Sequence, residues 1–168
     1  MSDLSKVYDK LKTQDVRYNY QFDVSIVGAN AGSVDTNLKF YAISTSKPAM
    51  TINTGEINYQ GFTYRVPNNL TFDGTWSVTV RASQDMKLYE DFVAWSKIFA
   101  DYDKGGGGKK NIPDSNGVID LMDQELNTIV KTYTMYGLFP TEVGELTTDH
   151  SDTSVSQFNV TFAYQFWK

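Results

Sequence analysis

Apolar and polar residues alternate along most of this chain, and the alternation predicts strands. In the first such run, apolar residues occupy every second position from Tyr18 to Ile26, and polar residues stand between them. A period of two is typical of a strand that buries one face and exposes the other. We therefore predict a strand from Val16 to Ile26, ended by the segment 28–32, which contains two glycines.

The same pattern predicts strands over 38–45, 71–82, 117–122, 128–138 and 155–167. Residues 47–66 are expected to form a protruding hairpin or loop, because turn signals at Asn53–Gly55 and Gln60–Gly61 interrupt its apolar positions. The last strand has an aromatic face and a neutral polar face. Such strands have edges that a monomer must protect, and assembly is one way to protect them.

Helical spacing is found in two places. Residues 86–102 carry a wide apolar stripe that includes Tyr89, Phe92 and Phe99, which predicts a helix packed on a sheet, with Ser83 or Asp85 as its cap. Residues 1–15 are predicted to be an N-terminal arm that contains a short helix. Residues 103–116 contain four consecutive glycines and are predicted to be a flexible loop.

These elements predict a mainly β (α+β) fold in one domain that spans residues 1–168. We expect an antiparallel β-sandwich or barrel of about seven to eight strands, with one flanking α-helix and a short N-terminal helix.

Composition narrows the class of protein. The 168 residues include no cysteine, which excludes disulfides and thiolate metal sites. With 15 basic and 20 acidic residues the net charge is −5, so the basic surface of a nucleic-acid-binding protein is not expected. No window approaches the roughly 20 apolar residues of a membrane span, so no direct membrane anchor is expected.

A search for catalytic and binding motifs finds none. The glycine-rich loop does not match a nucleotide-binding loop, because Asp103 replaces its first glycine and Lys110 replaces the required Ser or Thr. His150 is the only histidine and no nucleophile motif accompanies it. We therefore expect no enzyme activity, no cofactor and no metal site.

Four segments resemble the tail tube proteins of contractile-tailed bacteriophages. TFDGTWSVTV at 71–80 is similar to the family's T-F-D-x-W-x-V-T-V strand, with one extra residue, and FVAWS at 92–96 is similar to its F-V-x-W motif. GLFPTEVGEL at 137–146 resembles its G-L-W-P-T-x-V-G-E-L signature, with Phe139 in place of tryptophan, and 157–167 resembles its terminal aromatic strand. The matched motif residues are Phe72, Trp76, Trp95, Gly137, Pro140, Gly144 and Trp167.

The resemblance implies a structural subunit of a virion tail, assembled in the host cytoplasm. Six copies would form a ring, and stacked rings would form the hollow conduit for genome delivery. Its partners would be further copies of itself, a contractile tail sheath protein, baseplate and tail-terminator proteins, and a tape-measure protein and DNA in the lumen without tight binding. The related tube proteins of type VI secretion share this plan.

Assembly requires contacts between copies, and exposed apolar residues are the candidates for them. We predict subunit contacts by the N-terminal helix and by the 47–66 excursion, with the candidate residues Leu4, Val7, Met50, Ile52, Ile57 and Tyr59. Two alternatives stay open. One is a baseplate tube initiator or a secretion-system tube subunit, and the other is a soluble β-sandwich that binds a ligand.

Overall fold

A computed structural model describes residues 6–8, 17–28, 34–101, 103, 105, 108, 111–146, 151 and 153–168. In this part of the chain there are ten strands and two longer helices. The strands are β1 (Phe22–Gly28), β2 (Ala42–Thr45), β3 (Met50–Tyr59), β4 (Phe62–Phe72), β5 (Thr75–Arg81), β6 (Ser115–Met122), β7 (Ile129–Tyr136), β8 (Phe139–Val143), β9 (Gln157–Ala163) and β10 (Phe166–Trp167). The helices are α1 (Val34–Tyr41) and α2 (Lys87–Phe99).

The strands form two four-stranded antiparallel sheets and one two-stranded ribbon. Sheet I has the order β1-β6-β7-β10, and sheet II has the order β2-β5-β9-β8. The ribbon consists of β3 and β4, which lie between β2 and β5 along the chain. The predicted mainly β fold of antiparallel sheets is confirmed, with ten strands in place of about seven to eight.

The core lies between the two sheets and under helix α2. Strands β5 and β9 alternate buried apolar residues with polar ones, as the sequence pattern predicts for strands with one buried face. Helix α2 buries Leu88, Phe92 and Trp95. Phe162 contacts Trp76, Phe92 and Trp95, with ring centroids 5.3, 5.9 and 5.9 Å apart. The helix predicted over 86–102 is confirmed and ends at Phe99. Its predicted cap is wrong, because the N-cap residue is Met86 and not Ser83 or Asp85.

The chain passes between the sheets four times, and two of these crossings are short: β7 to β8 and β9 to β10. The second of the short crossings corrects a prediction. Gly137, at φ +67°, separates β7 of sheet I from β8 of sheet II. The strand predicted over 155–167 is not continuous: β9 ends at Ala163, and β10 then pairs with β7 in the other sheet. The Gln165 N–H donates to the Tyr136 carbonyl at 2.9 Å and so supports this crossing.

The strand predicted over 38–45 is wrong in its first half. Helix α1 occupies Val34–Tyr41, and only Ala42–Thr45 is a strand. Val34 and Leu38 are four residues apart, and both are buried. On a helix, residues with this spacing lie on one face, so packing of this face against the core favours the helix.

Other predicted boundaries also shift. The turn predicted at Asn53–Gly55 is wrong, because β3 runs through it with only a register irregularity between Ile52 and Thr54. The first strand begins at Phe22, after a turn in which the Gln21 N–H donates to the Tyr18 carbonyl. The loop predicted over 103–116 is overlapped by β6, which begins at Ser115. Leu4, Val16, Lys110 and His150 lie outside the described residues.

Candidate assembly surface

The β3–β4 ribbon has two different faces near its tip. Cross-strand pairs Ile57↔Tyr64 and Tyr59↔Phe62 alternate with Glu56↔Arg65 and Asn58↔Thr63. Because side chains of directly paired residues share a face, the first two pairs form an apolar face and the other two form a polar face. Gln60 and Gly61 turn the chain at the tip with positive φ angles of 49° and 83°, as the turn signal predicts.

The apolar face of the tip is exposed in the isolated chain. We call Ile57, Tyr59, Phe62, Tyr64 and Val66 the tip patch. Tyr59 and Phe62 are 63% and 69% exposed, and the other three are exposed as well. On the opposite face, Thr63 donates a hydrogen bond to Asn58 at 2.7 Å, and Arg65 pairs with Glu56 at 3.4 Å. The polar face is therefore suited to water, whereas the tip patch is suited to a partner.

The base of the ribbon is joined to the body by an aromatic cluster. Phe72 meets Trp167 edge to face at 6.1 Å, and Trp167 meets Tyr133 at 5.7 Å. The Lys47 ammonium lies 4.4 Å from the Tyr133 ring centroid and 4.3 Å from that of Trp167. Ammonium groups at this distance from aromatic faces are attracted to them. These contacts fix the ribbon to β7 and β10 of sheet I.

The predicted interface residues are placed as follows. Met50 and Ile52 lie near the base of the ribbon and Ile57 and Tyr59 at its tip, all of them exposed. Val7, in the short helical segment 6–8, is 51% exposed.

Three members of the tip patch, Phe62, Tyr64 and Val66, were not among the predicted interface residues. Their signal is the Gln60–Gly61 turn, because a two-residue turn pairs Tyr59 with Phe62 and extends the apolar face along β4.

The motif residues lie in the interior or at points of close backbone approach. Trp76 and Trp95 are buried, and the Trp76 indole N–H donates to the Thr45 hydroxyl at 2.7 Å. Pro140 is buried in β8. At Gly144 an added Cβ would lie 2.7 Å from the Asn159 carbonyl oxygen. These residues therefore contribute to the fold, and none of them belongs to the tip patch.

The outer faces of the two sheets differ in charge. On sheet II the central outward pairs, Thr75↔Ala163, Ser77↔Thr161 and Thr79↔Asn159, are uncharged, and Arg81 pairs with Gln157 at the end of β5. On sheet I, Asp23 pairs across the strands with Asp120. Lys39 forms an ion pair with Asp23, and Thr132 donates to Asp120 at 2.6 Å. The hydrogen bond and the charge of Asp23 raise the pKa of Lys39.

An open cleft of about 730 Å³ lies between sheet I and β2. Its apolar walls include Phe22, Ile43 and Tyr133, and its cations are Arg17 and Lys47. Arg17 donates to the Gln21 carbonyl at 2.9 Å, and Lys47 lies over two aromatic rings. Ligand pockets have polar groups that converge on the ligand. In this cleft both cations already have partners within the chain.

Two searches of the described residues bear on other classes of function. They contain no group of three or more His, Asp or Glu side chains placed to hold a metal ion. Among these residues no helix combines the length and apolar character that crossing a membrane requires.

Comparisons with known proteins agree with the motif resemblance. The family model described as phage tail tube protein matches residues 13–168. The tail tube protein gp19 of Enterobacteria phage T4 is 27% identical over 151 residues, which cover 89% of this chain and 88% of that protein. The tail tube protein gp19 of Enterobacteria phage T6 is similar to the same extent.

Solved structures share the fold at low sequence identity. A chain from the extended sheath-tube complex of the extracellular contractile injection system PVC matches with a TM-score of 0.67 and 13% identity, covering 95% of both chains. A chain from the tube-terminating cap of the anti-feeding prophage matches with a TM-score of 0.67 and 12% identity, covering 93% of this chain and 91% of that one. Because the family model covers nearly the whole chain, this chain belongs to the phage tail tube protein family.

Proposed function

We propose that this chain is the repeating structural subunit of a phage tail tube. Six copies form a ring, and stacked rings form the hollow conduit through which the genome leaves the virion. A contractile sheath surrounds the tube, and baseplate and terminator proteins contact its two ends. The chain carries out no catalysis, because its role is to form the wall of the conduit. Membership of the tail tube family supports this role.

The β3–β4 ribbon is the observation that carries the proposal. An isolated two-stranded hairpin is at best marginally stable in water, and this one exposes the tip patch at its end. An exposed apolar patch of this kind marks a protein contact. A tube supplies the contact, since copies in the same ring and in the next ring lie beside every subunit. The predicted interface residues Met50, Ile52, Ile57 and Tyr59 are part of this ribbon.

Electron microscopy of the purified protein tests the assembly directly. We expect rings or hollow rods from the unmodified chain. Ile57→Ser with Tyr64→Ser removes one apolar cross-strand pair from the tip patch and should abolish the rods, while circular dichroism of the subunit stays unchanged. The matched control is Asn58→Ser with Thr63→Ser on the polar face of the same ribbon, which should still assemble. A protein that stays a 19 kDa monomer at all concentrations would contradict the proposal.

Removal of residues 1–12 tests the second predicted contact. We expect the truncated chain to form fewer or shorter rods, because the helical segment that contains Val7 is exposed on the isolated subunit. Assembly that is unchanged by the truncation would restrict the subunit contacts to the ribbon and the body.

The conduit must let DNA pass without holding it. Tight binding to DNA comes mainly from Lys and Arg contacts to phosphates, and this chain has a net charge of −5. We therefore expect assembled tubes to bind double-stranded DNA more weakly than micromolar at physiological salt in a filter-binding assay. Tighter binding would show that basic groups line the path.

A further inference from the structure

We propose that strand β10 and the residues just before it clamp the root of the β3–β4 ribbon and so set the direction in which the tip patch points. Trp167 and Lys47 are the positioning residues of this clamp. The use of the clamp rests on the proposed function, since the direction of the tip patch matters only if another copy binds it. Its contacts lie within one chain and are testable without assembly.

The ribbon has little contact with its own body along most of its length. Every residue of β4 from Phe62 to Thr71 is exposed, and Phe72 at the root is partly buried. In β3 every residue except Gly55 is exposed. The ribbon therefore meets the body at its root, and its direction depends on what holds the root.

The length of the ribbon makes its direction sensitive to the root. At the usual rise of about 3.3 Å per residue, the 10 residues of β3 span roughly 30 Å. A rotation of about 10° at the root therefore moves the tip by about 5 Å. Apolar contacts require heavy atoms within about 4.0–4.5 Å of each other, so such a movement separates the tip patch from a partner that is shaped for it.

Two short linkers join the ribbon to sheet II. Residues 46–49 connect β2 to β3, and residues 73–74 connect β4 to β5. The Gly74 carbonyl accepts a hydrogen bond from the Tyr164 N–H at 3.0 Å. The second linker is therefore tied to the segment that joins β9 to β10.

Trp167 of β10 contacts the chain on both sides of the ribbon. Its ring meets Phe72, the last residue of β4, edge to face with centroids 6.1 Å apart. The Lys47 ammonium, on the first linker, lies 4.3 Å from the Trp167 ring centroid. Tyr133 of β7 supports both groups, because its ring centroid lies 5.7 Å from that of Trp167 and 4.4 Å from the ammonium. One indole ring therefore holds the beginning and the end of the ribbon against sheet I.

Strand β10 is itself anchored to β7 by its backbone. Phe166 and Trp167 pair with β7, and Thr134 and Lys168 exchange backbone hydrogen bonds of 2.9 and 3.0 Å. The Phe166 side chain stacks on Tyr136, on the opposite face of the sheet from Trp167. Of the two residues of β10, Trp167 is therefore the one that faces the ribbon root.

The clamp uses the ring of Trp167 and not its N–H. The indole nitrogen is buried and has no hydrogen-bond partner among the residues that the structure describes. The contacts with Phe72, Tyr133 and Lys47 are those of an aromatic ring, which a phenyl group also makes. We therefore expect phenylalanine to replace tryptophan at this position.

Spin labels measure the direction of the ribbon in the isolated subunit. The chain has no cysteine, so Thr63→Cys near the tip and Gln157→Cys at the exposed start of β9 give two specific sites. We expect one narrow distance distribution by double electron–electron resonance. Trp167→Ala should broaden it by about 5 Å, the tip movement that a small rotation of the root produces. Trp167→Phe should leave it narrow, and so should Phe166→Ala, which removes a ring from the same strand but not from the root.

The critical concentration for tube assembly, measured by light scattering without the labels, tests the use of the clamp. Trp167→Ala should raise it about tenfold, because a ribbon without the aromatic contacts must be ordered each time a copy is added. Trp167→Phe should leave it unchanged. Lys47→Met keeps an unbranched side chain without the charge and should raise it about two- to fivefold. Lys47→Arg should keep the original value, since a guanidinium also binds aromatic faces.

The outcomes separate the clamp from a general role in stability. A distribution that stays narrow in Trp167→Ala with an unchanged circular dichroism spectrum would overturn the clamp, and so would equal broadening by Phe166→Ala. If Trp167→Ala does not fold, Lys47→Met and Lys47→Arg decide the matter, and equal critical concentrations for these two variants and the unmodified chain would contradict the role of Lys47.

The clamp and the proposed function fail in different ways. If the unmodified chain forms no tubes, the proposed function is wrong, and the distance distributions still decide whether Trp167 holds the ribbon. If tubes form and Trp167→Ala broadens the distribution without raising the critical concentration, the function stands and the direction of the ribbon does not control assembly.

Discussion

The aromatic core under sheet II and the tip patch of the ribbon are made of the same kinds of residue in opposite surroundings. In the core, Phe162 is fully buried and meets three aromatic rings within 6 Å. In the tip patch, Phe62 is 69% exposed, and its cross-strand partner is Tyr59. Both residues lie in strands with alternating patterns, so residue type and periodicity do not distinguish them.

The difference separates stability from assembly. Core aromatics remove apolar surface from water within one chain, so they contribute to the free energy of unfolding of the subunit. Tip aromatics remove apolar surface only when another copy covers them, so they contribute to association. We expect substitutions in the two regions to act on different measurements.

The largest expected effect comes from the same substitution in each region. Phe162→Ala should lower the free energy of unfolding by about 3–5 kcal/mol, because it removes a fully buried ring and leaves a cavity. Phe62→Ala should change the unfolding of the isolated subunit by less than about 0.5 kcal/mol, as for other exposed positions, while reducing assembly. Urea denaturation of the subunit measures the first quantity, and electron microscopy measures the second. Equal losses of stability would show that the ribbon packs on its own subunit.

Replacement of a glycine by alanine should have the next largest effect on the free energy of unfolding. At Gly144 an added Cβ would lie 2.7 Å from the Asn159 carbonyl oxygen, and the Gly144 N–H donates to that oxygen at 2.7 Å. Gly144→Ala must therefore shift two strands of sheet II. We expect it to lower the free energy of unfolding by about 1–3 kcal/mol, as substitutions at other overpacked sites do.

The matched change in the ribbon is Gly55→Ala, where the added Cβ would meet Val66 at an ordinary 3.5 Å. Gly55→Ala should leave the midpoint of urea unfolding unchanged or raise it slightly, since alanine reduces the entropy of the unfolded chain. If Gly144→Ala is equally well tolerated, the contact between β8 and β9 adjusts more easily than the structure indicates.

The sequence predicted the elements whose local pattern agrees with their packing. Strands β5 and β9 and helix α2 each place apolar residues with the period of the element they form. Helix α1 was missed because Phe40, Tyr41 and Ile43 are residues that favour strands, and burial of Val34 and Leu38 decides the structure. No Gly or Pro marks the break between β9 and β10 in the sequence. The crossing depends instead on a hydrogen bond to the distant Tyr136 carbonyl, which the local pattern does not show.

The candidate surface was predicted only in part, because it too depends on pairing between separate segments of the chain. Sequence pattern placed Met50, Ile52, Ile57 and Tyr59 in an excursion with more apolar residues than a small core could bury, and the structure shows them exposed. It did not show that the ribbon has one apolar face at its tip, because this depends on the register between β3 and β4. The Gln60–Gly61 turn sets that register at the tip, and the irregularity between Ile52 and Thr54 changes it only toward the base of the ribbon.

The smallest expected effect is on the pH dependence of the free energy of unfolding, and it again distinguishes the body of the subunit from the ribbon. Near the start of α2, the Ser83 hydroxyl donates to Asp85 at 2.6 Å, and the Lys87 N–H donates to the same carboxylate oxygen at 3.3 Å. These hydrogen bonds lower the pKa of Asp85 from its ordinary value of 3.8. In the ribbon, Thr63 donates a hydrogen bond of similar length to Asn58, whose amide does not titrate.

A carboxyl group whose pKa is lower in the folded state stabilises the fold above its ordinary value, and this contribution is lost as the pH falls through the lowered pKa. Ser83→Ala removes the largest cause of the shift. The variant should therefore show a higher Asp85 pKa by NMR titration and a shallower loss of stability below pH 3.8. Thr63→Ala removes an exposed hydroxyl from the ribbon and should leave the acid dependence of unfolding unchanged. If both variants change that dependence equally, the contribution comes from the general charge of the chain and the Ser83–Asp85 contact is not its source.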